Sequence, residues 1–152
     1  MDAEKFLNAL ENLLKKIGVQ TAVLEGTEPQ IGNTLRALLP VTDAGDVILT
    51  EVMLGPCTED ALLLQLYSTM IVEIGPGYEA LKEMLLDWNL TARLGAFGIY
   101  RQQRQLYHKY NYIIPTDADP DEMAEEIFYL MNLVLDVIAE RFPDAVRLSG
   151  HQ

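Results

Sequence analysis

Leu62-Leu63-Leu64-Gln65-Leu66-Tyr67-Ser68-Thr69-Met70-Ile71-Val72-Glu73-Ile74 is the stretch that decides the fold. Its period is two: Leu62, Leu64, Leu66, Ser68, Met70 and Val72 fall on one face, and Leu63, Gln65, Tyr67, Thr69, Ile71 and Glu73 on the other. Alternation sustained over this length predicts a half-buried β-strand rather than a helix. Working back toward the N-terminus, the same period recurs in Val47–Leu54, Thr34–Leu39 and Val19–Glu25. Asp43-Ala44-Gly45-Asp46 has turn chemistry, and a loop passes through Gly26, Glu28, Pro29 and Gly32. Strands joined so closely pair antiparallel, because parallel pairing needs crossovers of a dozen or more residues.

Helices bracket this meander. Phe6, Leu7, Leu10, Leu13, Leu14 and Ile17 recur at helical steps, Glu4 stands near the start, and Lys15 and Lys16 precede Gly18. These are the marks of a helix over Asp2–Ile17 that covers a core with one face. Past Gly75-Pro76-Gly77, the spacing of Tyr78, Leu81, Leu85 and Trp88 predicts a second helix ending around Asn89. Ala96–Arg101 and Gln105–Ile114 then form a hairpin around Gln102-Gln103-Arg104. Asp119, Pro120 and Glu122 start a third helix, expected to stop near Arg141, before Pro143. The expected fold is one α+β domain over 1–152, a twisted antiparallel sheet packed with helices in the order α-β-β-β(-β)-α-β-β-α.

The chain has 152 residues, enough for one core. It carries 23 acids against 11 bases, a net charge of −12. No apolar run approaches the 18 or so residues of a membrane span. Acids at Asp2 and Glu4 stand where a secretory signal would carry positive charge, and Cys57 is the single cysteine. A cytoplasmic location is therefore expected, with no disulfide framework and no membrane partner. The charge is uneven: residues 88–114 hold four bases (Arg93, Arg101, Arg104, Lys109) and no acid, whereas residues 115–145 hold nine acids and one base. Tyrosines interleave with those bases, as in single-strand binders. The net field nevertheless repels a polyanion, so no nucleic-acid partner is expected.

Catalytic and metal signatures are weak. Asp117, Asp119 and Asp121 have the opening spacing of a calcium loop, but Glu122 replaces its glycine, Phe128 its final carboxylate, and Pro120 starts a helix between them. Capping is the expected role, and no metal or cofactor is expected. Glu125 and Glu126 read as a solvated helix face. His108 and His151 are the only imidazoles. An alternative function, a small-molecule sensor or enzyme with a pocket between sheet and helices, requires His108, Cys57 or Tyr110 to converge.

The third helix is the most informative element. Apolar residues cover roughly 240° of its circumference at about 100° per residue, more than one sheet face covers. Either the first helix or a wrapped loop covers the excess, or a subunit or peptide does. In the second case Phe128 and Leu135 on one flank, or Leu133 and Val137 on the other, make the contacts.

Tyr78–Trp88 followed by Asn89, Leu94-Gly95-Ala96-Phe97-Gly98-Ile99-Tyr100, Leu106-Tyr107-His108-Lys109-Tyr110, Ile113-Ile114-Pro115 and the helix from Asp119 together span roughly the second half of the chain. This pattern resembles the type III secretion chaperone-like superfamily (Tir-chaperone-type), including its YbjN-type bacterial relatives. The family's usual core has three strands before the middle helix, where four are read here. The resemblance implies a non-catalytic homodimer that binds a polypeptide partner or effector segment, as a chaperone, adaptor or regulator. It also implies Leu81, Leu85 and Trp88 as dimer contacts.

Overall fold

A computed structural model describes residues 1–27 and 32–150; the loop expected through Glu28 and Pro29 lies partly outside these, as does His151. The elements are α1 (Ala3–Lys16), β1 (Gln20–Leu24), β2 (Thr34–Pro40), β3 (Val47–Thr58), β4 (Ala61–Ile71), α2 (Tyr78–Thr91), β5 (Ala96–Tyr100), β6 (Gln105–Pro115) and α3 (Pro120–Ser149). All six strands join one antiparallel sheet in the order β1-β2-β3-β4-β6-β5. Four strands thus precede α2, and the expected α+β order is the observed one. No described helix is long and apolar enough to cross a membrane.

The period-two pattern sets which side of the sheet is buried. Leu35, Ala37, Leu39, Ile48, Val52, Leu64, Leu66, Met70, Phe97, Leu106 and Ile114 are buried beneath the helices, and Thr50 and Ser68, paired across β3 and β4, bond to each other at 2.8 Å. Side chains of opposite parity form an open face with no buried member, including Leu38, Leu49, Met53, Leu63, Tyr67, Tyr107 and Ile113.

Helix α3 lies on the covered side. Ala124, Ile127, Met131, Val134, Ile138, Phe142, Ala145 and Ser149 form its buried stripe at three- and four-residue steps. Asp119 caps its start, accepting from the Glu122 N–H at 2.9 Å. The expected stop before Pro143 is corrected, since the helix continues to Ser149. A proline inside a helix forfeits a hydrogen bond and costs about 3 kcal/mol. Pro143 is exposed, and the turns after it bury Ala145 and Ser149. Those turns are also clasped: the Ser149 hydroxyl accepts from the Gly75 N–H at 3.0 Å, and its carbonyl from the Gly77 N–H at 3.0 Å.

One further reading changes. Ile17 is 60% exposed, because it is the C-cap of α1 and leaves the helical stripe. Glu126, read as part of a solvated face, accepts from the Tyr112 hydroxyl at 2.6 Å and ties α3 to β6. That bond holds the Tyr112 phenol above its ordinary range.

Gly77 passes so close to the end of α3 that an added Cβ would sit 1.6 Å from the Leu148 carbonyl oxygen. Gly77→Ala is therefore expected to destabilise the protein by about 3 kcal/mol through forced displacement of backbone. Pro143→Ala restores a helical N–H and is expected to stabilise it by about 1–3 kcal/mol. Denaturant unfolding of the two variants checks both signs.

Candidate functional site

The two flanks of α3 have separate coverings. Helix α1 runs beside one flank and leaves a small apolar groove of about 100 Å³ lined by Leu14, Ile17, Val19, Leu39, Phe128, Met131 and Leu135. Helix α2 runs beside the other and leaves a cleft of about 600 Å³, lined by Trp88, Thr91, Arg93, Leu94, Phe97, Leu133, Asp136, Val137, Glu140 and Arg141. The structure therefore brings Phe128 and Leu135 together in one groove and Leu133 and Val137 in the other. All four are half-buried, so α1 and α2 cover much, though not all, of the apolar excess of α3.

Leu81, Leu85 and Trp88, implied as dimer contacts, require correction. They are 0%, 9% and 1% exposed and face the core of their own chain. The helical period that made them look like one functional face is the period of core packing. The outer face of α2 instead exposes Leu86 and Leu90, among Glu79, Glu83 and Asp87.

The larger cleft has a braced floor. Asn89, at the end of α2, donates to the Phe97 carbonyl at 2.9 Å and accepts from the Phe97 N–H at 2.7 Å. Its carboxamide thus supplies the pair of bonds that a neighbouring strand would supply to this edge of the sheet. Phe97 stands edge-on to Trp88 at 5.6 Å and to His108 at 5.0 Å, and the Trp88 indole N–H is buried without an acceptor. Gly95, at φ 71°, brings the chain over the His108 ring, where any Cβ would come within 2.6 Å of Cε1.

The rim is charged. Asp136 and Glu140 stand one helical turn apart on α3, where like charges repel. Arg141 donates to the Thr91 hydroxyl at 3.2 Å, with its guanidinium 5.9 Å from the Trp88 ring. Among the described residues the ion pairs are Lys15–Glu11, Arg36–Glu51, Lys82–Glu79 and Arg147–Asp144, so the acids of the cleft lack cationic partners.

The four bases of residues 88–114 form no common surface. Arg93 lines the cleft, Lys109 lies on the open sheet face, and Arg101 sits in the hairpin turn. Arg104 folds back, donating to the carbonyls of Ile74 at 3.2 Å and Gly75 at 3.0 Å and stacking 4.5 Å from the Tyr78 ring.

His108 and Cys57 are not brought together. His108 pairs with Ser68, while Cys57 lies beyond the Leu62 end of β4, six residues and about 20 Å away. Cys57 is exposed, His108 is fully buried, and Tyr110 is half-buried against the core. Because a carbonyl only accepts, Nε2 of His108 carries the proton it donates to the Leu94 carbonyl at 2.8 Å, leaving Nδ1 buried and without a partner. The unpartnered Trp88 indole and the Asn89 clamp had no signal in sequence beyond residue type, since both depend on loop and strand coming together.

Burial pushes the His108 imidazole below its ordinary 6.5, with the Leu94 hydrogen bond acting the other way. As pH falls below about 6.5 the unfolded chain takes up a proton that the folded chain refuses, so stability falls, by at most about 1.4 kcal/mol per pH unit. Above that range this contribution is flat. Unfolding free energies measured from pH 8 to pH 5 are expected to show this slope in the wild type, and His108→Gln is expected to remove that part of it.

In comparisons with protein-family models and with curated proteins, nothing matches this chain.

Proposed function

We propose that the protein is a non-catalytic, chaperone-like or adaptor protein that acts in the cytoplasm as a homodimer and binds a polypeptide in the cleft between α2 and α3. One observation carries this reading: an apolar wall of Leu133, Val137, Phe97 and Trp88 is rimmed by two acids, Asp136 and Glu140, that form no ion pair among the described residues, although Arg93 and Arg141 line the same cleft. A lysine or arginine of a bound segment relieves that repulsion while its apolar neighbours fill the wall. The shape agrees, because Leu133 to Arg141 spans about 12 Å of helix, the length of three or four extended residues. Arg93 on the opposite wall suits the carbonyls or acids of the same segment. Binding is favoured over turnover because His108 and Cys57 lie too far apart to act as a base and nucleophile pair. The chaperone resemblance of the second half of the chain points the same way.

The test is an array of 15-residue peptides in which apolar residues alternate with Lys and Arg, or with Asp and Glu. The basic set is expected to bind at least about tenfold more tightly, equivalent to about 1.4 kcal/mol. Asp136→Asn with Glu140→Gln, both exposed, is expected to remove that margin without unfolding the chain. Equal binding of both sets, or binding indifferent to the double variant, would contradict the proposal.

A further inference from the structure

The open face of the sheet departs from the usual solvated face of an antiparallel sheet, which alternates polar residues outward. Across it run Leu38 beside Leu49, Met53 beside Gln65, Leu63 beside Ile113, and Tyr67 beside Glu51 and Lys109. Its polar groups largely satisfy one another. Arg36 pairs with Glu51 at 3.3 Å, Gln65 donates to Asn111 at 3.2 Å, and the Tyr67 hydroxyl donates to Gln105. Tyr67 and Tyr107 stack at 4.9 Å. A face whose polar groups already hydrogen-bond to one another gives up fewer bonds to water when it is covered.

Charge selects the occupant. The molecule carries −12, yet only one of its 23 acids, Glu51, lies in a described strand, paired with Arg36 and two strands from Lys109. Two copies repel each other over most of their surfaces, including α2 with Glu79, Glu83 and Asp87. The sheet face is where that repulsion is smallest. Its size also suits a second copy. Six strands span about 24 Å, and paired lengths of five to ten residues give a footprint on the order of 600 Å², at the lower end of what stable interfaces take from each partner.

We infer that the open sheet face is the homodimer interface, with two copies packed sheet to sheet and their α2–α3 clefts facing outward. The inference rests on the homodimer of the reading above, and its geometry leaves the peptide cleft free. Two twisted sheets stack about 10 Å apart in such an arrangement.

Light scattering at micromolar concentration is expected to give a mass near twice 17.1 kDa. Leu49→Glu with Ile113→Glu, two non-buried positions on this face, is expected to give the single-chain mass with an unchanged far-ultraviolet spectrum, whereas Leu86→Glu with Leu90→Glu on α2 stays dimeric. Hydroxyl-radical footprinting of the wild type provides a readout free of substitutions. On going from nanomolar to micromolar protein, oxidation of Met53 and Tyr107 is expected to slow about threefold or more, while Tyr129, 63% exposed on α3, is unaffected. A wild-type monomer, a dimer broken by the α2 variants alone, or no protection of Met53 and Tyr107 overturns the inference. Loss of the dimer with peptide preference retained separates its failure from that of the binding cleft.

Discussion

Every feature of this protein hangs on one contact, the seating of a single long helix along one face of a single sheet. The stripe from Ala124 to Ser149 meets the Leu, Ile and Met side chains that the strands turn to that side. A stripe at three- and four-residue steps is narrow, and α3 has more apolar surface than it uses. The surplus is what α1 and α2 pack against, and where they stop short, two grooves open. The clasp of Ser149 by the backbone of Gly75 and Gly77 holds the far end of α3 against the start of α2, which fixes the wall of the larger cleft.

Electrostatics divides the molecule along the same layers. Acids cap and line the helices, and the strands are almost free of charge. Repulsion among the helical acids works against compactness but favours solubility. It also distinguishes two kinds of surface: an acid-rimmed cleft suited to a basic, apolar segment, and a nearly neutral sheet face suited to a surface like itself. The two proposals assign one role to each layer.

Much of the fold was legible in the residues, because alternation and helical spacing are local signals that burial enforces. The strand expected over Leu62–Ile74, which the structure ends at Ile71 with Val72 turned out to solvent, the hairpin around Gln102-Gln103-Arg104 and the cap at Asp119 are all of this kind. Less legible was where α3 ends. Pro143 is locally a helix breaker, and only the distant bonds to Gly75 and Gly77, together with burial of Ala145, keep the helix running past it. Leu81, Leu85 and Trp88 show the converse: an apolar stripe on a helix reads the same whether it meets its own sheet or another molecule.

Residue order alone determined the class of fold, the order of its elements apart from the fourth early strand, and the uneven placement of charge, since these follow from periodicity, capping and composition within short windows. Tertiary structure alone decided which flank of α3 each helix covers, that Leu133 and Val137 share a cleft with Trp88 and Phe97, that Asn89 plugs the β5 edge, and that His108 is a buried neutral ring. Those outcomes depend on pairings between residues far apart in the chain, and no local pattern specifies which surfaces the packing leaves uncovered.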